Sequence, residues 1–286
     1  MTMLPTRLDE AFAELDHAEA GAPRVECLEL DDVAIVVLRN ADRRNALTLN
    51  MWVQLSFVFR ELRQRSDISV VLVRGEGTTA FAAGADISEF AELRHDVQSA
   101  SVYNTAISAA LDAIAALEVP TIAAIRGFAV GGGCELAHAC DLRIAADDAQ
   151  VGIPIGRLGV ILGPTEAKYL VRQIGAAGLK RVLLSARLFD AQESRELRLV
   201  DEVLPTAEHW AGVRDLITTI TRSRPVTVRS SVLVADAAAG FIPAAAFAER
   251  MHDHFASAYG GRGLAEGYRA FLEKRTPDFD TEKGAI

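Results

Sequence analysis

The chain has 286 residues, 50% of them apolar and 24% charged, an ordinary globular mix that excludes a disordered chain, a collagen-like chain and a disulfide miniprotein. At roughly 150 residues per domain, the length admits one large fold or a core with an appendage. Thirty basic against 39 acidic side chains leave a formal charge of −9 at pH 7, which repels phosphate backbones and anionic membrane surfaces and disfavours a nucleic-acid partner.

Residues 1–23 read as an N-terminal segment with a loose helix; they carry acids where a signal peptide needs bases. Arg24 to Leu30 and Val33 to Arg39 are β-rich runs split by Asp31-Asp32, the pattern of a hairpin. From Leu49 to Arg65, Trp52, Leu55, Phe59 and Leu62 recur at helical spacing, and Ser69 to Arg74 is a β-branched run closed by Gly75-Glu76-Gly77. Ser101 to Leu117 is an alanine-rich helical stretch ended by Val119-Pro120. A strand from Thr121 to Arg126, a triple glycine, a helix to about Cys140 and a strand near Leu142 to Ala145 follow. Strand and helix alternate through the core, residues 24–205, which predicts an α/β layer architecture. Beyond it, Pro225, Gly240 to Pro243 and Gly260 to Gly263 punctuate segments of helical period. Residues 206–286 are therefore expected to form a helical C-terminal region packed on the core.

Cys27, Cys134 and Cys140 form no CxxC pair, and an odd count in a long chain fits a reducing compartment. No run reaches the roughly 18 apolar residues of a membrane span. A cytoplasmic protein without a membrane partner is expected.

Two glycine-containing loops follow strand ends: Phe81-Ala82-Ala83-Gly84-Ala85-Asp86-Ile87, and Gly127-Phe128-Ala129-Val130-Gly131-Gly132-Gly133-Cys134-Glu135-Leu136. Small residues let another molecule approach the main chain, and the triple glycine runs into a helix whose first N–H groups lack intrahelical partners. Neither is a nucleotide loop, since there is no GxGxxG and no Lys-Ser or Lys-Thr after the glycines.

Together with the Arg44-Asn45-Ala46-Leu47 turn, the run from Ile125 to Ala145 and Ala186 to Glu193 before the 200–205 strand, these loops resemble the enoyl-CoA hydratase/isomerase family, the crotonase superfamily, from about Arg24 to Leu204. The resemblance implies a crotonase-like ββα spiral core with a helical C-terminal region, a homotrimer or hexamer, and an acyl-CoA thioester substrate. It implies no metal, and no cofactor beyond the coenzyme A that is part of the substrate. It maps an oxyanion hole to the N–H groups of Ala85 and Gly132. Turning a thioester into an enolate puts negative charge on its carbonyl oxygen, which preorganised N–H donors stabilise. One such donor is worth roughly 3 to 4 kcal/mol, so a proton-handling group is still needed for an enhancement of about 8 or more.

Glu135, three residues after Gly132 in the first helical turn, matches one of the two glutamates of the family's hydratases. The helix dipole would lower its pKa and an apolar pocket would raise it. The other glutamate is missing: in Val151-Gly152-Ile153-Pro154-Ile155-Gly156-Arg157 its place after the proline is taken by Ile155. By the same resemblance Arg44, Ala46, Ala83, Asp86, Ile87, Gly131, Pro154 and Ile155 line the CoA and acyl path, and Ser88 stands where a lysine is often found. Arg157 is a candidate for an acyl carboxylate, with surface ion pairing as the plainer role. His138 reads as a packed histidine, and Glu166, after Gly163-Pro164-Thr165, as an ordinary helix-start carboxylate. A hydratase-like lyase is the leading expectation; isomerisation, other enolate chemistry such as decarboxylation, and a non-catalytic acyl-CoA or RNA binder are the alternatives.

Overall fold

Asp31 adopts the left-handed backbone conformation (φ 54°), which aspartate tolerates better than most residues. It turns β1 (Arg24–Leu30) back on β2 (Val33–Arg39) as the expected hairpin, with Leu30 opposite Val33 and Arg24 opposite Arg39. The computed structural model describes residues 3–18, 21–260 and 262–279; the other positions of the 1–23 and 206–286 segments lie outside the described residues.

After α2 (Leu49–Arg63), which starts at a Thr48 side chain accepting from the Met51 amide, a three-part unit repeats. Each unit has a strand in a large sheet, a short strand in a small sheet, and a helix or helices. The first is β3 (Val70–Gly75), β4 (Ala80–Ala82), α3 (Phe90–Leu93) and α4 (Val97–Ala115); the second is β5 (Thr121–Ile125), β6 (Phe128–Val130) and α5 (Gly132–Ala139). The third is β7 (Leu142–Ala146), β8 (Gln150–Gly152) and α6 (Pro164–Ser185), followed by β9 (Phe189–Asp190), α7 (Ala191–Glu196) and β10 (Glu202–Leu204). The large sheet runs β1-β2-β3-β5-β7-β10 and the small one β4-β6-β8-β9. Beyond the hairpin every pairing in the large sheet is parallel.

β2 is buried along its whole length because it has a helix layer on each face, which is why it reads as a continuous apolar run. Ala34, Val36 and Leu38 face the main core with Trp52 and Phe59 of α2 and Leu111 of α4. Val33, Ile35 and Val37 face α1 (Leu4–Leu15) and α8 (His209–Arg222). The predicted loose leading helix is thus a packed one, with Leu8, Phe12 and Leu15 on its buried stripe. Fully buried Arg74 locks this layer: its Nη2 is 2.6 Å from Asp16 Oδ1 and its guanidinium lies 4.0 Å from the Trp210 ring, while Trp210 Nε1 donates to Asp16 Oδ2 at 3.0 Å.

Three more helices follow, α9 (Pro225–Ala238), α10 (Ala244–Gly260) and α11 (Arg262–Glu273). Arg172 of α6 bonds Asp236 of α9, and Arg250 of α10 pairs with Glu118 at 2.7 Å. Phe255, Tyr259, Leu264, Tyr268, Phe271 and Leu272 of α10 and α11 are exposed. Among the described residues, no helix is long and apolar enough to cross a membrane.

Candidate active site

Two strands of the small sheet end in the two glycine loops. After β4, Ala83 N donates to Arg44 O at 2.9 Å, Leu47 N to Gly84 O at 2.7 Å, and Asp86 N to Leu47 O at 2.9 Å. In such a parallel bridge the peptide groups flanking Ala85 are used by Leu47, so the Ala85 N–H faces the other way. After β6, Gly131 N donates to Gly152 O at 2.8 Å and Gly131 O accepts from Glu135 N at 2.9 Å, which opens α5. Gly132 is the first residue of that helix, where an amide has no intrahelical acceptor. In both loops the residue before the outward amide is a glycine at positive φ, 104° at Gly84 and 52° at Gly131, a turn that a side chain would resist.

The loops run side by side. A Cβ added to Gly132 would lie 3.6 Å from Ala85 N and 2.9 Å from the Trp52 ring, and one added to Gly84 would lie 3.8 Å from Gly132 N. Ala85 and Gly132 line one cavity, of about 690 Å³ including its mouth, within the size range of small-molecule sites. Its walls are largely apolar, with Ile107, Ile155, Val160, Ile161 and Leu162 prominent.

Two carboxyl groups enter this cavity. Glu135 of α5 is 7% exposed and its pKa is pushed up to about 8, first by burial and then by the charge of Glu166, with Arg94 pulling the other way. Burial thus favours the protonated form, a carboxylic acid that can donate a proton. Glu166 of α6 is 4% exposed and lines the same cavity. Ser108 Oγ donates to its Oε1 at 3.4 Å, and its Oε2 has no hydrogen-bond partner among the described residues. The sequence reading of Glu166 as a plain helix-start carboxylate did not foresee this burial, because the contact depends on α6 packing against α5.

Of the other predicted residues, Ala83, Ile87, Gly131, Pro154 and Ile155 line the cavity, while Arg44, Ala46, Asp86 and Arg157 do not. Arg44 is exposed with its guanidinium 5.1 Å over the Phe128 ring, and Ala46 is buried with its amide on Arg43 O. Asp86 is engaged by its own chain, accepting from Ser88 N at 3.0 Å, Ser88 Oγ at 2.7 Å and Arg43 Nη1 at 2.9 Å. Burial would raise its pKa, but Ser88 and Arg43 hold it below the usual carboxylate range. Arg157 is exposed on the turn Ile155–Arg157, outside the cavity lining.

The cation that does line the cavity is Arg94, which no sequence motif flagged; its Nη2 donates to Asn104 Oδ1 at 2.7 Å and its guanidinium lies 4.8 Å over the Phe90 and Tyr103 rings. His138 is packed as expected, Nδ1 2.8 Å from Cys134 O, and burial holds its pKa down to about 3. Among the described residues, no three His, Cys, Asp or Glu side chains gather as a metal site. All three cysteines are free thiols.

The chain matches the enoyl-CoA hydratase/isomerase family over residues 29–282. It is 36% identical over 248 residues to a protein of Mycobacterium bovis named probable enoyl-CoA hydratase, covering 86% of this chain and 94% of that one. It is 33% identical over 267 residues to the mitochondrial methylglutaconyl-CoA hydratase of Rattus norvegicus, covering 91% and 83%. The crystal structure of an enoyl-CoA hydratase/carnitine racemase from Magnetospirillum magneticum superposes with a TM-score of 0.84 at 35% identity, covering 90% of this chain and 96% of that one. The expected crotonase-like architecture is the one observed.

Proposed function

The chain belongs to the enoyl-CoA hydratase/isomerase family, and from that premise we propose that it is a hydratase-type lyase for acyl-CoA thioesters. The Ala85 and Gly132 amides hold the thioester oxygen, and Glu135 moves the proton at the α-carbon. The observation that supports this most is the meeting, in one apolar cavity, of two outward-facing amides and a buried carboxyl whose pKa burial pushes up. In hydration, water's oxygen bonds to the β-carbon, the displaced electron pair collects on the carbonyl oxygen between the two amides, Glu135 gives its proton to the α-carbon, and the proton that the added water sheds restores Glu135. The amides need no reorganisation because glycine turns already aim them. No cofactor is proposed beyond the coenzyme A of the substrate. Ala83 and Ile87 line the cavity, and Arg44 and Ala46 belong to the turn that bonds the Ala83–Asp86 loop, the path proposed for the nucleotide and pantetheine. Arg157 and Asp86 are left out of the proposed contacts, since one is exposed away from the cavity and the other is bonded within the chain. A homotrimer or hexamer would cover the exposed apolar residues of α10 and α11.

Apolar Ile155 in the cavity wall favours a second reading, an isomerase that shifts a double bond with one carboxyl. Incubating the protein with trans-2-enoyl- and trans-3-enoyl-CoA esters in oxygen-18 water separates the two. A hydratase incorporates the label into a 3-hydroxyacyl product; an isomerase interconverts the esters without label. Undiminished turnover by Glu135→Gln would overturn both.

A further inference from the structure

We infer that Glu166 is the second proton-transfer residue of this site, standing across the cavity from Glu135 and activating the water that adds to the double bond. The inference rests on the enolate reading above and supplies what Ile155 takes away.

Glu166 occupies the third position of α6, after Gly163, Pro164 and Thr165. A glutamate there commonly reaches back to the amide that starts its helix, or stays in solvent near the positive end of the dipole. This one does neither. It is 4% exposed, and among the described residues Oε1 has a single long bond from Ser108 and the buried Oε2 has no partner. Leaving a carboxylate oxygen unbonded in an apolar wall is costly, and a water or substrate hydroxyl in the cavity is the natural partner. The room for that oxygen comes from Gly163, where an added Cβ would sit 2.2 Å from Oε2.

The two carboxyl groups also act on each other. Both line the one cavity, and the charge of Glu166 adds to the burial that pushes the Glu135 pKa up. One group is then an acid while the other is a base. As water's oxygen bonds to the β-carbon, its proton passes to Glu166 and the C=C electron pair moves to the thioester oxygen. The pair then returns to form the α-carbon–hydrogen bond with the proton of Glu135. The dyad ends with the same number of protons, exchanged between its members, and passing one back through water resets it.

The test compares wild type, Glu166→Gln and Gly163→Ala in two assays: hydration of crotonyl-CoA and trans-2-octenoyl-CoA, and deuterium uptake at the α-carbon of butyryl-CoA and octanoyl-CoA in heavy water. Uptake needs only the amides and Glu135; hydration needs Glu166 as well. Glu166→Gln is expected to cut hydration by about 10² to 10⁴-fold while uptake is retained, and to move the midpoint of the uptake–pH profile down as Glu135 loses its charged neighbour. Gly163→Ala keeps the carboxylate but displaces it, and is expected to cut hydration by about tenfold with uptake unchanged; it carries the test alone if the Gln variant does not fold. Hydration by Glu166→Gln within about threefold of wild type overturns the inference and leaves the enolate reading standing. Equal loss of both activities marks Glu166 as structural and overturns it too. A wild-type protein that takes up no deuterium and hydrates neither ester overturns the enolate reading as well.

Discussion

Replacing Glu135 with glutamine should stabilise the fold at high pH and leave it nearly unchanged at low pH. A carboxyl whose pKa is about 8 in place of 4.5 binds its proton more tightly in the folded chain than in the unfolded one. The sign follows from linkage: the favourable contribution is complete below pH 4.5 and is lost as pH rises through 8. Each pH unit between those values is worth about 1.4 kcal/mol, so wild type should lose on the order of 3 to 4 kcal/mol between pH 5 and pH 9 that the glutamine variant keeps. Glutamine preserves shape and neutrality, so packing changes little. The measurement is urea denaturation of both proteins at pH 5, 7 and 9 at one protomer concentration, taking the difference so that all other titrating groups cancel. Parallel stability–pH curves would refute the claim that burial keeps this carboxyl protonated, and with it the acid assigned to the reaction.

Three further outcomes are expected. Gly132→Ala places a methyl 2.9 Å from the Trp52 ring and 3.6 Å from Ala85 N, so kcat on a turned-over enoyl-CoA should fall by about 10² to 10³-fold, more than KM changes, in steady-state assays. Arg74→Ala strips the buried partner from Asp16 and opens the seam between α1 and α8; denaturant melts should show a loss of about 3 to 5 kcal/mol. Burial pushes the thiols of Cys134 and Cys140 up, and Cys27 is raised to about 11 by burial and then by Glu29. Native protein at pH 7.5 should therefore react slowly with a chromogenic disulfide reagent, and denatured protein should release three equivalents at once.

The large sheet was legible because its strands are long enough to show composition. Val33–Arg39 and Val70–Gly75 are runs rich in valine and isoleucine, each bounded by turn residues. The small sheet was not. Its strands span two or three residues, too few for a period, so β4 and β6 read as parts of glycine loops. The leading helix was visible as a helix, but its packing depends on Arg74 and Trp210, far away in sequence. At the site, the outward amides left a local signature, since a glycine must precede each one, and Glu135 is fixed to Gly132 by a single helical turn. Arg94 and Glu166 left none. Arg94 follows α3 in a segment without a motif, the Gly163-Pro164-Thr165 run before Glu166 reads as an ordinary helix start, and Glu166 reaches the cavity only as α6 packs against α4 and α5.

That difference bears on how Ile155 should be read. In sequence it is only a missing carboxylate, which weakens any hydratase assignment. In the folded chain it is also an apolar part of the cavity wall that Glu135 lines: it offers an ionised carboxylate no hydration, which favours the protonated form, and it carries no like charge, which would have favoured that form further. One substitution thus has two consequences that a sequence pattern cannot separate: it deletes a base, and it adds to the apolar wall around the surviving glutamate. A site changed this way needs a base from somewhere else in the same cavity if water is to be activated, and Glu166 is the carboxylate there that keeps an oxygen unbonded.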